Sequence, residues 1–205
     1  MPTLGRMALY EEIRDGLGIA LNESRWLDVR VDGRRAEVRF LLQVLTLPEA
    51  GPEPSDTRRV IRCWGVSRLI ASLRDAPLRD HDAPAAGLEL RDLPAALRSF
   101  GALPVYGWRF VDPPSSWIER WEHRLSLDER FAETTADEHR LYLFQDGADR
   151  CLEICVVFGD MSVTDHKGRQ LSLERFVGDA RRWWEALSAG DPRVQGHGIV
   201  PVSRD

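Results

Sequence analysis

Apolar and polar residues alternate along two stretches of the chain, residues 26–73 and 126–165. In the first stretch, every second position over one segment is apolar: Val38, Phe40, Leu42 and Val44. Successive side chains of a strand point to opposite faces, so a period of two predicts strands with one face on a core. Each stretch therefore predicts a β-meander. The pair suggests an internal repeat, joined by a connecting segment at residues 74–125.

Turn residues mark the ends of these predicted strands. Asp32-Gly33 is typical of a two-residue hairpin turn. Gly65 predicts a bend or bulge between two strands within the run from Arg59 to Leu73. Asp165-His166-Lys167-Gly168 predicts a hairpin tip, because polar residues and glycine favour tight turns. Val105 to Val111 predicts one further strand, with Tyr106, Trp108 and Phe110 on one side.

Helical periodicity appears near both ends of the chain. Residues 7–21 predict a short amphipathic helix that ends near Gly16 or Gly18. Ser172 to Leu187 predicts a longer helix with Ser172 as its N-cap. Its apolar stripe consists of Leu173, Phe176, Val177, Ala180, Trp184 and Leu187.

These elements predict an α+β fold dominated by antiparallel strands. Two meanders would form a sandwich or a strongly curved sheet, with N-terminal and C-terminal helices packed against it. Two similar small sheets lying side by side are the competing architecture. A length of 205 residues fits a single domain over residues 1–205.

Charge and composition narrow the classes of function. A net charge of −5 provides no overall basic field for nucleic acid or anionic lipid. No apolar run approaches the roughly 20 residues of a membrane-spanning helix, and Met1 to Tyr10 lacks a secretory pattern. Among 28 basic residues only Lys167 is a lysine, which we interpret as the codon bias of a bacterial genome. We expect a cytoplasmic protein whose cysteines remain reduced.

The sequence contains no recognisable catalytic or metal-binding motif. Its histidines lack metal-ligand spacing: His81, His123, His139, His166 and His197. In a strand, Cys151 and Cys155 would lie about 13–14 Å apart, too far for a disulfide or a shared metal. Glycine-rich phosphate loops and nucleophile elbows are absent as well. We therefore predict no catalytic residue, no metal and no cofactor.

The segment from Pro113 to Glu138 holds the interface candidates. Trp117 and Trp121 lie four residues apart after a proline break, a spacing that fits a short helix. Acidic residues follow them: Asp128, Glu129, Glu133 and Asp137. Aromatic anchors with a charged rim are typical of protein interfaces, and an acidic rim suits a basic partner. Core tryptophans and a solvated acidic loop would explain the same residues.

Two runs of sequence carry a family resemblance. Residues 26–73, which include RRVIRCWGVSRLIASLRD, and the run CLEICVVFGDMSVTDHKGRQLSLERFVGDARRWWEAL each combine strands, tight turns and apolar segments. They resemble small β-rich bacterial proteins that serve as immunity factors for polymorphic toxins, and together they cover a little under half of the chain. The resemblance implies a stoichiometric binder that blocks a partner protein. It transfers no catalytic residues.

The leading prediction is a non-catalytic cytosolic protein-interaction module, of which an immunity-type inhibitor is the most specific form. The alternative is a small enzyme or ligand-binding β fold whose site is assembled from distant residues. A deep pocket with at least two of five residues would favour it: His123, His139, His166, Asp160 and Asp165. A homo-oligomeric structural subunit is the third possibility, which an exposed edge strand at Val105 to Val111 would favour.

Overall fold

The chain adopts an α+β fold, as predicted, in a computed structural model that describes residues 11–133 and 138–199. Its α-helices are α1 (Glu11–Leu21), α2 (Leu93–Arg98), α3 (Ser115–Glu122) and α4 (Leu173–Ser188). Its strands are β1 (Arg25–Asp32), β2 (Glu37–Gln43), β3 (Arg58–Trp64), β4 (Arg68–Arg74), β5 (Leu127–Arg130), β6 (His139–Asp146), β7 (Cys151–Phe158), β8 (Asp160–Asp165) and β9 (Gln170–Leu171). No helix within these residues is both long enough and apolar enough to cross a membrane.

The strands form two antiparallel sheets. The first sheet has the order β1-β2-β3-β8-β9, and the second has the order β5-β4-β7-β6. Residues 26–73 place β1, β2 and β3 in the first sheet but β4 in the second. Residues 126–165 place β5, β6 and β7 in the second sheet but β8 in the first. Each predicted meander thus gives its last strand to the sheet of the other.

The two crossings between the sheets meet at a pair of glycines. Gly65 separates β3 from β4 and has a φ of 61°, a left-handed conformation that glycine adopts without strain. Gly159 separates β7 from β8, and its amide donates to the carbonyl oxygens of Trp64 (3.1 Å) and Gly65 (3.2 Å). The predicted bend at Gly65 is confirmed, and it is the point where the chain changes sheets.

The inward faces of both sheets contribute to one hydrophobic core. The first sheet supplies Val38, Phe40, Leu42, Ile61, Cys63, Met161 and Val163, and the second supplies Leu69, Ala71, Leu141, Leu143, Leu152, Ile154 and Val156. The predicted apolar face of β2 is buried throughout. Burial of these side chains from both sheets in one cluster is the main favourable contribution to folding.

Helices α1 and α4 pack against each other, and glycine allows the close approach. A Cβ atom on Gly16 would overlap the side chain of Val177 in α4. The predicted helix end at Gly16 or Gly18 is wrong, because the helix continues to Leu21. Both glycines lie inside α1, where their lack of a side chain serves packing.

The α4 helix begins as predicted, with the Ser172 hydroxyl accepting from the Arg175 amide at 3.1 Å. In the second half of α4, the buried face differs from the predicted apolar stripe. Trp183 is 0% exposed and packs with Leu45, Leu47 and Val194, whereas Trp184 is only half-buried. The indole Nε1 of Trp183 also donates to Glu53 at 3.2 Å. Trp183, which the predicted stripe omitted, is therefore the core tryptophan of this helix.

Two local predictions are corrected. The hairpin after β1 has a four-residue loop, Gly33 to Ala36, instead of a two-residue turn. Asp32 stabilises this loop, because its carbonyl and its carboxylate each accept from the Arg35 amide at 3.2 Å. Residues 105–111 do not form a strand. Within the segment only Val111 makes an isolated bridge, to Leu141, and Pro104 just before it bridges to Arg25.

Candidate functional site

The two tryptophans of α3 lie in different environments. Trp121 is 1% exposed and packs with Ile118, Tyr142 and Cys155 on the outer face of the second sheet. Trp117 is half-buried. Ile118 and Trp121 are three residues apart, so they share the face of the helix that covers the sheet. Trp121 is therefore a core residue and offers no surface to a partner.

The acidic interface candidates do not form one free patch. Asp128 accepts two hydrogen bonds from the Arg68 guanidinium, at 2.8 Å and 3.0 Å, and these bonds lower the pKa of the Asp128 carboxyl. Asp128 and Glu129 are neighbours on β5 and point to opposite faces. Glu133 is exposed beyond the strand, and Asp137 lies outside the described residues. The Asp128 charge is thus largely neutralised within the chain.

Two exposed aromatic side chains lie elsewhere, on residues 104–110, which we call the aromatic loop. Tyr106 is 54% exposed and Trp108 is 62% exposed; within the described ranges no other large apolar side chain is exposed. The indole of Trp108 rests beside that of Trp184, with 6.4 Å between ring centroids. Exposing large aromatic rings is unfavourable in water, so exposed aromatic side chains often mark binding sites.

The backbone of the aromatic loop is held by the connection between α1 and β1. Val105 exchanges two backbone hydrogen bonds with Glu23 and Ser24, both of 2.8 Å. The Gly107 amide donates to the side-chain oxygen of Asn22 at 3.1 Å. Gly18 lets the loop approach α1, because a Cβ atom there would overlap the carbonyl of Trp108. The exposed rings therefore project from a fixed backbone.

The sequence did not reveal this site. Tyr106, Trp108 and Phe110 alternate, which predicted one common face. In the structure Phe110 is buried, and the ring of Phe110 lies against Gly107. The missing side chain of Gly107 leaves room for the Phe110 ring, and Phe110 does not share the exposure of Tyr106 and Trp108. In the sequence, Gly18 and Gly107 indicate positions where another segment can pack closely. Only the fold shows that the Trp108 carbonyl approaches Gly18 and that the Phe110 ring approaches Gly107.

A buried ionic cluster lies on the outer face of the second sheet. Glu153 accepts from Arg74 at 2.6 Å and from the Tyr142 hydroxyl at 2.6 Å. Burial raises the pKa of Glu153 and raises that of Tyr142 well above its ordinary value. Arg74 also donates to the backbone carbonyls of Leu78 and Asp80. All three side chains are buried, so the cluster fastens the loop after β4 and offers no open reaction site.

One groove, which we call the charged groove, contains two of the five residues whose presence in a pocket would favour the ligand-binding alternative. Asp165 and His166 line an open groove of about 290 Å³ between the β2–β3 loop, the β8–β9 hairpin and the first turns of α4. The predicted hairpin tip after β8 is confirmed, with Gly168 at a φ of 77°. His139, another of the five residues, does not line the charged groove; its Nδ1 lies 2.9 Å from Oδ2 of Asp112.

The charged groove is lined largely by ionisable side chains. Its lining residues are Pro48, Pro54, Asp56, Arg59, Asp165, His166, Arg169, Gln170, Leu171, Arg175 and Asp179. Burial alone would raise the pKa of Asp165, but hydrogen bonds from Arg169 and Lys167 outweigh it and lower that pKa to about 2. Asp165 is therefore a fixed negative charge at neutral pH.

Metal ligands do not converge in the described ranges, 11–133 and 138–199. No three His, Cys, Asp or Glu side chains there are placed so that they could hold an ion. Cys63, Cys151 and Cys155 are buried free thiols, and burial raises the pKa of each. Comparisons of the chain with protein-family models, curated proteins and solved structures give no match.

Proposed function

We propose that the protein is a non-catalytic interaction module that docks a partner protein through the aromatic loop. The observation that supports this is the exposure of Tyr106 and Trp108 on a backbone held by the connection between α1 and β1. Tyrosine and tryptophan are enriched among the residues that dominate binding energy at interfaces. A fixed backbone reduces the entropy lost on binding, which favours affinity.

The most specific form of the proposal is an immunity-type inhibitor in the bacterial cytoplasm. The resemblance of residues 26–73 and of the run from Cys151 to Leu187 to such proteins supports it. The net charge of −5 favours association with a basic partner, since long-range attraction accelerates encounter. In this form the module binds one toxin molecule and blocks its action.

The experiment combines the purified protein with the product of each adjacent gene and detects complexes by native mass spectrometry. Calorimetry then gives the affinity of any complex for the wild type and for the double variant Tyr106→Ala/Trp108→Ala. If both rings anchor the partner, the affinity falls at least about a hundredfold, because each anchor contributes about 2 kcal/mol or more.

The control is Trp117→Ala, which removes a half-buried tryptophan from α3. We expect it to leave the affinity unchanged. Equal affinity of the wild type and the Tyr106→Ala/Trp108→Ala variant would exclude the aromatic loop as the docking surface. The absence of any complex with the adjacent gene products would count against the immunity-type form.

A further inference from the structure

We propose that the charged groove binds a small oxyanion, a carboxylate or a phosphate group, through the Nε–Nη2 edge of Arg59. This binding site is separate from the aromatic loop and does not depend on the proposed docking function.

The inference begins with the position of Arg59 in the sheet. Arg59 lies on β3, opposite Leu42 of β2 and Asp165 of β8, so its side chain shares the inward face of the first sheet. It is only 6% exposed and lines the floor of the charged groove. A charged side chain this deeply buried is rare unless it has a partner.

The guanidinium of Arg59 is only partly satisfied. Its Nη1 donates to the carbonyl of Arg58 at 2.9 Å. Its Nε is buried with no hydrogen-bond partner, and its Nη2 makes no bond within the described part of the chain. The free atoms, Nε and Nη2, form one edge of the planar group. Two parallel N–H donors on such an edge match the two oxygens of a carboxylate or phosphate.

The acidic residues around the charged groove already have other partners. Asp165 accepts from the Arg169 side chain at 2.7 Å and from the amides of Lys167 and Arg169. Asp179 is bonded to Arg182, and Asp56 is bonded to Arg58. Within residues 11–133 and 138–199, no carboxylate oxygen lies within 4.0 Å of an Arg59 nitrogen. Arg59 therefore lacks an ion pair although three carboxylates line the same groove.

Burial of this unpaired charge is unfavourable, and an oxyanion would relieve it. Desolvation lowers the pKa of Arg59 in spite of the nearby carboxylates, which raise it. Arg175, in the first turn of α4, lies 3.8 Å from Asp179 and is mostly exposed, so it can turn toward a ligand over Arg59. The N-terminal end of α4 adds a favourable field for an anion. A groove of about 290 Å³ accepts a small metabolite.

The test follows the Nε–Hε resonance of Arg59 by NMR while acetate or inorganic phosphate is added. We expect a saturable shift with at least one of the two probes, and the probe that binds more tightly identifies the class of oxyanion. Arg59→Met removes the charge but keeps most of the volume. We expect about a tenfold to hundredfold loss of affinity, as is typical for hydrogen bonds to a charged group.

Arg30→Met is the matched control. It removes the same charge from β1, where the Arg30 side chain is 80% exposed, and it should leave the affinity unchanged. The absence of a saturable shift with both probes would overturn the proposal. Equal binding by the wild type and Arg59→Met would overturn it too, because it would indicate an adventitious ion only. If Arg59→Met does not fold, the Arg59 resonance of the wild type still decides the outcome.

Discussion

The Gly159 amide donates a hydrogen bond of 3.2 Å to the carbonyl oxygen of Gly65. These two glycines lie where the chain passes between the sheets, once from β3 to β4 and once from β7 to β8. The bond therefore joins the two crossings directly. Local strain at this point would disturb both sheets together.

Gly65→Ala tests the importance of the crossing. The φ of 61° at Gly65 is unfavourable for any residue with a Cβ atom. We expect the free energy of unfolding to fall by about 1–2 kcal/mol, the usual cost of a left-handed conformation. Urea denaturation measures it. Gly87→Ala is the control, because a Cβ atom at Gly87 meets nothing within 4 Å and its φ is not left-handed. Equal losses in the two variants would contradict the argument.

The tryptophans of α4 should differ in their contribution to stability. Trp183→Ala creates a cavity in the cluster with Leu45 and Leu47, so we expect a loss of about 3–5 kcal/mol. Trp184→Ala removes a half-buried ring and should cost clearly less. Chemical denaturation of both variants gives the comparison. A larger effect at Trp184 would show that the predicted stripe, rather than the observed one, faces the core.

The ionic cluster of the second sheet should be sensitive to loss of one partner. Arg74→Met leaves the Glu153 carboxylate buried without its counter-charge, which typically costs about 3–5 kcal/mol. The double variant Arg74→Met/Glu153→Gln removes the unpaired charge and should recover part of this loss. Unfolding free energies at pH 7 test both expectations. A double variant less stable than Arg74→Met would show that the cost does not come from the unpaired carboxylate.

Acidification should reveal the role of Asp165. Its folded pKa of about 2 lies below the value of about 3.9 for an unfolded aspartate, so the ionised form favours the folded state. This stabilisation is present above about pH 4 and is lost as the pH falls toward 2. We therefore expect Asp165→Asn to melt at a lower temperature than the wild type at pH 6, with the difference shrinking by pH 2. A difference that is independent of pH would contradict the assignment.

Local patterns in the sequence determined much of the secondary structure. Alternation of apolar residues predicted the buried face of β2, because a strand exposes and buries successive side chains. Ser172 predicted the start of α4, since its hydroxyl satisfies an amide of the first turn. Gly65 predicted a break between two strands. Each of these features depends on residues close together in the chain, so the sequence alone sufficed.

The tertiary structure decided which elements meet. A period of two shows which face of β8 is apolar, but it does not show which strand lies beside it, so the exchange between sheets was not predictable. Trp183 and Trp184 are about 100° apart around the α4 axis, and the neighbouring elements determine which one is buried. The exposure of Trp108 and the unpaired edge of Arg59 likewise arise from contacts between distant segments. Contacts between distant segments depend on the whole chain, and a local pattern carries no information about them.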